Sequence, residues 1–264
     1  MNQELLEQDI ERINERMYSL FESVNEIYSA MELFIKGPSK RIRSKLGLLY
    51  LKVFGKTINT DVIDMLAAGE LIHNASLIHD DIVDFSMIRR GEPTIESKIS
   101  TKAAVLSGDY LLSKSGELLL NINNPELIKI LFDCLSKMTE AEITEQSYSG
   151  KIPPKEVYIE ICTNKTAILF STILKSVALI SGLDVCDAEK LGKIFGIVFQ
   201  VRNDLEPQSA QTDKSNSIYT ALDIFGIEKT MILIDNYKKE LGQIIQDYPN
   251  NEYRVALEDL IEAL

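Results

Sequence analysis

Apolar residues recur at three- and four-residue spacing through nearly every segment of the chain, with no sustained two-residue alternation. A 3.6-residue period brings such positions onto one face, so the pattern predicts an almost entirely helical protein. Breakers fall at Gly37-Pro38, Gly55 to Asn59, Gly91 to Pro93, "NINNPE" around Pro125, "GKIPPK" around Pro153 and Pro154, Gly182, Pro207 to Asn216, Gly226 and Pro249. They delimit about ten helices. Thr60 and Asp61 are expected to cap a helix running to about Phe85, and Pro125 suits the first position of another. The longest polar tract, "PQSAQTDKSN", reads as a loop inside a domain, because the helical pattern resumes beyond it with unchanged composition. Without internal repeats, residues 1–264 read as one all-α domain.

The 264 residues carry 28 basic and 40 acidic side chains, a formal charge of -12, and 45% of them are hydrophobic, enough for a sizeable core. A field of that sign repels nucleic acid and anionic membranes, so neither is expected as a partner. The most apolar segment, "TAILFSTILKSVALISG", is broken by Lys175 and falls short of the roughly 20 residues of a membrane span. The start, "MNQELLEQDIERINERM", has no apolar core of the signal-peptide kind. Cys134, Cys162 and Cys186 are odd in number and far apart, which fits free thiols in a reducing compartment. A soluble, cytoplasmic protein is the expectation.

The stretch "LIHNASLIHDDIVDFSMIRRGEP" carries the chemistry. On a helix His73, Asp80 and Asp84 point the same way, with Asp81 beside them. Carboxylates one turn apart on one face repel unless a cation lies between them. Oxygen ligands select a hard divalent ion, and magnesium is characteristically held by one or two carboxylates plus substrate phosphates. Arg89 and Arg90 follow just before the expected helix end at Gly91, and guanidinium groups bind phosphate bidentately, so metal and arginines together suggest a diphosphate. Upstream, "KGPSKRIRSK" sets Lys40, Arg41 and Arg43 at a helix start, where backbone N–H groups also favour an anion. A lone DDxxD is no more than an acidic face would give; the joint pattern is what points to a site.

In this order these residues resemble the trans-isoprenyl diphosphate synthases, the polyprenyl synthetase family, from Gly37 to about Phe225. "GPSKRIRS" is similar to the family's GGKRLRP segment, "LIHNASLIHDDIVDFSMIRRGEPT" to its first aspartate-rich motif, "AVLSGDYLLSKS" to the helix that follows, "NKTAILF" to its Lys-Thr motif, and "FGIVFQVRNDL" to the helix of the second aspartate-rich motif. The resemblance implies an all-helical bundle around a central apolar cavity. It also implies magnesium-dependent, head-to-tail condensation of an allylic diphosphate with isopentenyl diphosphate, and a homodimer, or a heteromer with another synthase. By position, Asp80, Asp81, Asp84 and Asp204 would serve magnesium and Arg89 the allylic diphosphate. Gly37, Lys40, Arg43, His73 and Arg90 would hold isopentenyl diphosphate, while Lys165, Thr166 and Gln200 would stabilise developing charge. The alternative for Lys165 is a structural salt bridge, since an unpartnered lysine in an apolar helix is costly.

The second motif departs from the family's pattern. Where DDxxD is usual, the chain reads Asn203, Asp204, Leu205, Glu206, Pro207, so only Asp204 stays in place. Glu206 is one residue out of register, about 100° round a helix. Ser217-Ile218 replaces the family's glycine-lysine, with Lys214 nearby as a substitute cation. A catalytically weak regulatory subunit is therefore the second reading. A terpene cyclase is the third, and it fails because Pro207 and Gln211 stand where that class needs Ser or Thr and an acid. The floor of the allylic pocket, one turn before Asp80, is Ala75 and Ser76; neither is bulky, which implies a geranylgeranyl or longer product unless Ile72 or Leu112 closes the pocket deeper.

Overall fold

The computed structural model describes residues 5–21, 25–206 and 218–264. It is helical nearly throughout: α1 Glu7–Tyr18, α2 Glu26–Lys36, α3 Ile42–Val53, α4 Thr60–Val83, α5 Ile95–Lys98, α6 Thr101–Asn121, α7 Pro125–Ser147, α8 Lys155–Ile161, α9 Ile168–Ser181, α10 Val185–Asn203, α11 Ala221–Phe225, α12 Ile227–Gln246 and α13 Glu252–Glu262. These exceed the expected number because short elements such as α5 and α11 leave no periodic trace. Contacts divide the chain into two compact units. One takes in the N-terminal part to Leu48 together with Ile58–Ile128; the other comprises Leu49–Thr57 and Lys129–Leu264.

The N-terminal unit is built on α4, whose residues from Val62 to Ile72 are all buried. A helix apolar all round must be covered on every side, and α1 and α6 supply that cover. Arg16 of α1 reaches Asp64 of α4 at 2.5 Å. The N-cap of α4 is Asn59, whose side chain accepts from the Val62 N–H at 3.0 Å, so the cap lies one residue before the expected Thr60-Asp61 pair. The C-terminal unit packs α10 against α9 and α12. A side-chain carbon added at Gly196 would stand 2.4 Å from Ala167 Cα, so glycine sets how closely α10 approaches the turn before α9.

Two local features depart from the sequence reading. Asp84 caps α4, Phe85 takes φ +51, and the N–H groups of Phe85 and Ser86 donate back to Ile82 and Asp81. That is the hydrogen-bond pattern of a left-handed helix stop, made here without the usual glycine. Arg89 and Arg90 therefore lie beyond the helix. Ile88–Arg89 pairs antiparallel with Glu92–Pro93, and Arg90 (φ 53) with Gly91 (φ 84) forms the two-residue turn. Positive φ at both central residues is what a tight hairpin requires.

The second feature is a π-helical turn, Cys162–Ala167, between α8 and α9. The continuous helical run Lys155–Ser181 is 27 residues long and, by length and composition, sufficient to cross a membrane; the apolar segment was expected to be too short. Most of it is buried within the protein. Cys134 and Cys162 are buried free thiols and Cys186 an exposed one.

Candidate active site

In the N-terminal unit, the left-handed stop at Phe85 and the hairpin return the chain onto α4. Ser86 carbonyl oxygen accepts from the Thr94 hydroxyl at 2.9 Å, which fixes the base of the return. Arg89 Nε then donates to Asp81 Oδ1 at 2.5 Å. Asp81 is only 2% exposed, and its other oxygen, Oδ2, is buried with no hydrogen-bond partner. Burial raises the Asp81 carboxyl above its ordinary range despite the neighbouring guanidinium.

Asp80 and Asp84 are half-buried beside Asp81, with Asp84 at the helix end rather than within it. Among the described residues no three His, Cys, Asp or Glu side chains come together as a metal-binding set. The donors at this point are oxygen only, and an orphaned buried carboxylate oxygen costs roughly 1–3 kcal/mol until something satisfies it. That fits magnesium, which takes few protein ligands and fills its shell with water and phosphate.

Around His73 the structure gathers cations. Burial and then Arg43, Arg90, Arg89 and Arg41, in that order, drive its imidazole well below the ordinary histidine range, so His73 is neutral at pH 7 although part of its surface stays accessible. Arg43 is buried in the first turn of α3. Arg90, open to solvent on one side, lies over the Phe34 ring at 6.0 Å. Burial first, then Arg89 and Arg41, lower its guanidinium pKa. Phe34, Gly37, Pro38, Arg89, Arg90 and Lys98 line a cavity of about 560 Å³ in this unit. Lys40 is exposed, just before α3. Ala75 is fully buried; Ser76 is half-buried and donates to the His73 carbonyl at 2.9 Å. Ile72 is buried and Leu112 half-buried.

Arg41 does not join this group as a phosphate-facing cation. It is 6% exposed, in the left-handed region, and contacts Glu70 at 3.4 Å, Asn14 at 3.0 Å and the Ile35 carbonyl at 2.9 Å. Glu70 also accepts from the Ser44 hydroxyl at 2.8 Å. The sequence held a signal for this pin: an acid inside the apolar run of α4, as Asp64 and Glu70 both are, is buried only when paired.

In the C-terminal unit the π turn carries Lys165 and Thr166. Wide turns of this kind concentrate at functional sites. Lys165 pairs with Glu142 at 2.6 Å and with Glu145, both on α7, which is the salt bridge its alternative reading anticipated. Thr166 Oγ1 donates to Gln200 Oε1 at 2.8 Å, and Gln200 Nε2 donates to Asp204 Oδ1 at 2.9 Å. Asp204 Oδ2 accepts from the Tyr158 hydroxyl at 2.6 Å and from the Ala221 N–H at 2.8 Å. No sequence signal marked Tyr158, 46 residues from its partner. α10 ends at Asn203, with Asp204 as its cap, so Glu206 lies past the helix and helical register does not set its direction. Pro207, Gln211, Lys214 and Ser217 lie outside the described residues.

The polyprenyl synthetase family model matches residues 24–260. A prenyl transferase of Cyanophora paradoxa is 30% identical over 259 residues, covering 90% of this chain and 79% of that protein. A geranylgeranyl diphosphate synthase of Methanosarcina mazei is 32% identical, covering 81% and 68%. Among solved structures, a decaprenyl diphosphate synthase from Rhodobacter capsulatus superposes with a TM-score of 0.87 at 22% identity over 99% of this chain and 96% of the other. A geranyltranstransferase from Thermotoga maritima gives 0.85 at 25% identity over 97% and 96%.

Proposed function

The chain belongs to the polyprenyl synthetase family, and from that premise we propose that it is a trans-prenyltransferase joining an allylic diphosphate head to tail with isopentenyl diphosphate. The observation that carries the reading is the convergence of Arg43, Arg90 and Arg89 on a neutral His73 in a protein of charge -12, Arg41 beside them being taken up by Glu70. Concentrated positive charge in an acidic protein has the character of a polyanion site.

Asp80, Asp81 and Asp84 would hold magnesium, which when bound supplies positive charge to the departing diphosphate. Arg89 binds the allylic diphosphate. Arg43, Arg90, Lys40, neutral His73 and the Gly37 backbone orient isopentenyl diphosphate, His73 as a hydrogen-bond partner that adds no charge of its own. Thr166 and Gln200 are assigned the stabilisation of developing positive charge on carbon, for which their oxygen dipoles are chemically suited. Lys165, assigned with them to the charge developing between the substrates, is paired with Glu142 and Glu145. The small side chains of Ala75 and Ser76, one turn before Asp80, support a geranylgeranyl or longer product. One synthase domain spanning the chain, a homodimer and a cytoplasmic setting complete the proposal.

The test is purified protein with magnesium and labelled isopentenyl diphosphate, given dimethylallyl, geranyl and farnesyl diphosphate in turn, with products separated by length. Extractable labelled polyprenyl product is expected. None at micromolar enzyme with any primer would overturn the reading and leave the regulatory subunit.

A further inference from the structure

We infer that Asp204, the surviving acid of the altered second motif, is a positioning residue rather than a metal ligand: with Tyr158 it forms a clasp that fixes Gln200 and the start of α11. The inference rests on the proposed function only for what Gln200 then does in the reaction.

A carboxylate offers about four acceptor positions. Asp204 has three of them filled within the protein, by the Tyr158 hydroxyl at 2.6 Å, the Ala221 N–H at 2.8 Å and Gln200 Nε2 at 2.9 Å. It is 4% exposed and Tyr158 5%. A cation reaching these oxygens would have to displace the Tyr158 hydroxyl or the Ala221 N–H, both buried, and leave them unsatisfied. The adjacent Asn203 contributes an amide, and Glu206 lies exposed past the helix end. The acid that does lie near Asp204, Asp223 of α11, has its Oδ2 occupied by the Thr220 N–H at 2.9 Å and the Thr220 hydroxyl at 2.8 Å.

The same bonds do something specific for Gln200. The two ends of a carboxamide have nearly the same shape, and only the neighbours decide which faces where. An ionised carboxylate accepts and never donates, so Asp204 draws Gln200 Nε2 toward itself and thereby turns Oε1 to Thr166, 2.8 Å away. Gln200 and Asp204 continue the four-residue ridge of Gly192 and Gly196, along which α10 lies closest to α9 and the π turn. Tyr158 and Ala221 hold the far side of the carboxylate, Ala221 sitting 17 residues along the chain. Burial keeps the Tyr158 hydroxyl protonated, hence a donor.

The experiment titrates manganese(II) with inorganic diphosphate into the wild-type protein and into Asp81→Asn, Asp204→Asn, Asp204→Glu, Tyr158→Phe and the Tyr158→Phe/Asp204→Asn pair. Bound metal is read from loss of the free manganese resonance, and Tm is measured on the same samples. Asp81→Asn should weaken metal binding by about tenfold or more. Asp204→Asn and Tyr158→Phe should leave the metal equivalents unchanged and shift affinity by less than about twofold, while each lowers Tm by roughly several degrees. The double variant should lose less Tm than the sum, because the bond they share is lost once. Asp204→Glu should not restore Tm, since the extra methylene displaces the carboxylate. In turnover, Tyr158→Phe, the milder change, should lower kcat with the metal dependence unmoved. Loss of a metal equivalent or about tenfold weaker binding in Asp204→Asn, or additive Tm losses in the pair, would overturn the inference. If neither wild type nor Asp81→Asn binds manganese, the proposed function fails, and the Tm coupling still decides the clasp.

Discussion

Arg89 Nε stands 2.5 Å from Asp81 Oδ1, so the arginine proposed for the allylic diphosphate and the carboxylate proposed for magnesium are in direct contact. The left-handed stop at Phe85 and the Arg90-Gly91 turn make that contact, across only eight residues. Arg89→Gln removes a charged donor, and such hydrogen bonds are worth about 1.5–3 kcal/mol. The expected outcome is a rise of about 10- to 100-fold in KM for the allylic diphosphate, with KM for isopentenyl diphosphate much less affected. Asp81→Ala should abolish product. Steady-state kinetics with each substrate varied in turn checks both, and equal KM changes for the two substrates would contradict the assignment.

His73 gives a pH prediction. Its folded-state pKa lies well below the ordinary 6.5 because of burial and then the surrounding arginines. Below about pH 6.5 the unfolded chain binds a proton that the folded chain refuses, so stability falls as pH drops through that window and is unaffected above it. Asp81 and Asp204 are raised by burial and titrate with the opposite sign. Replacing the imidazole isolates its share: in His73→Gln, the loss of Tm between pH 7.5 and 5.5 should be smaller than in wild type. Identical slopes would show that His73 is not held neutral. A bound diphosphate should raise the imidazole pKa, visible as a shift in its NMR titration.

Much of this was legible in the sequence, for reasons that can be named. Helical periodicity survives in one dimension, so the all-α architecture and the Asp80-Asp81-Asp84 helix could be read directly. Arg90-Gly91 also left a trace, a two-residue loop with glycine, which a helix extended to Gly91 hides. The stop at Phe85 left none, because that left-handed residue carries a full side chain. Lys165 and Thr166 read as part of one helix, and no local pattern marks the π turn that carries them. The Tyr158–Asp204 bond joins positions 46 residues apart, a separation that no local pattern encodes.

Ala75 tests product length. It is fully buried on α4, one turn before Asp80. A phenylalanine there adds volume to a packed interior, which typically costs about 1–3 kcal/mol. If the allylic tail extends past this position, Ala75→Phe should yield a shorter main product, with the Tm lowered but the protein still folded. Chromatography of the labelled products against chain-length standards decides it. An unchanged length distribution would place the floor elsewhere, at Ile72 or Leu112.

Arg41 and Glu70 carry the last prediction. Their side chains are 6% and 2% exposed, with Nη1 and Oε2 3.4 Å apart, and Ser44 adds a 2.8 Å bond to the same carboxylate. Arg41 joins the segment that carries Lys40 and Arg43 to α4, so the pair sets where those two cations stand. Removing one partner of a buried pair leaves the other uncompensated, at a cost of about 3–5 kcal/mol. Glu70→Ala should therefore lower Tm by about 8–15 °C and raise KM for isopentenyl diphosphate. Replacing both, as Arg41→Met with Glu70→Leu, removes the stranded charge and should recover most of the Tm, because apolar substitutes of similar volume are often neutral. KM should stay raised in that double variant, since the left-handed turn at Arg41 loses its anchor to the Ile35 carbonyl and to Asn14. Recovery of Tm without recovery of KM separates a positioning role from bulk stability; recovery of both would reduce the pair to a stability element.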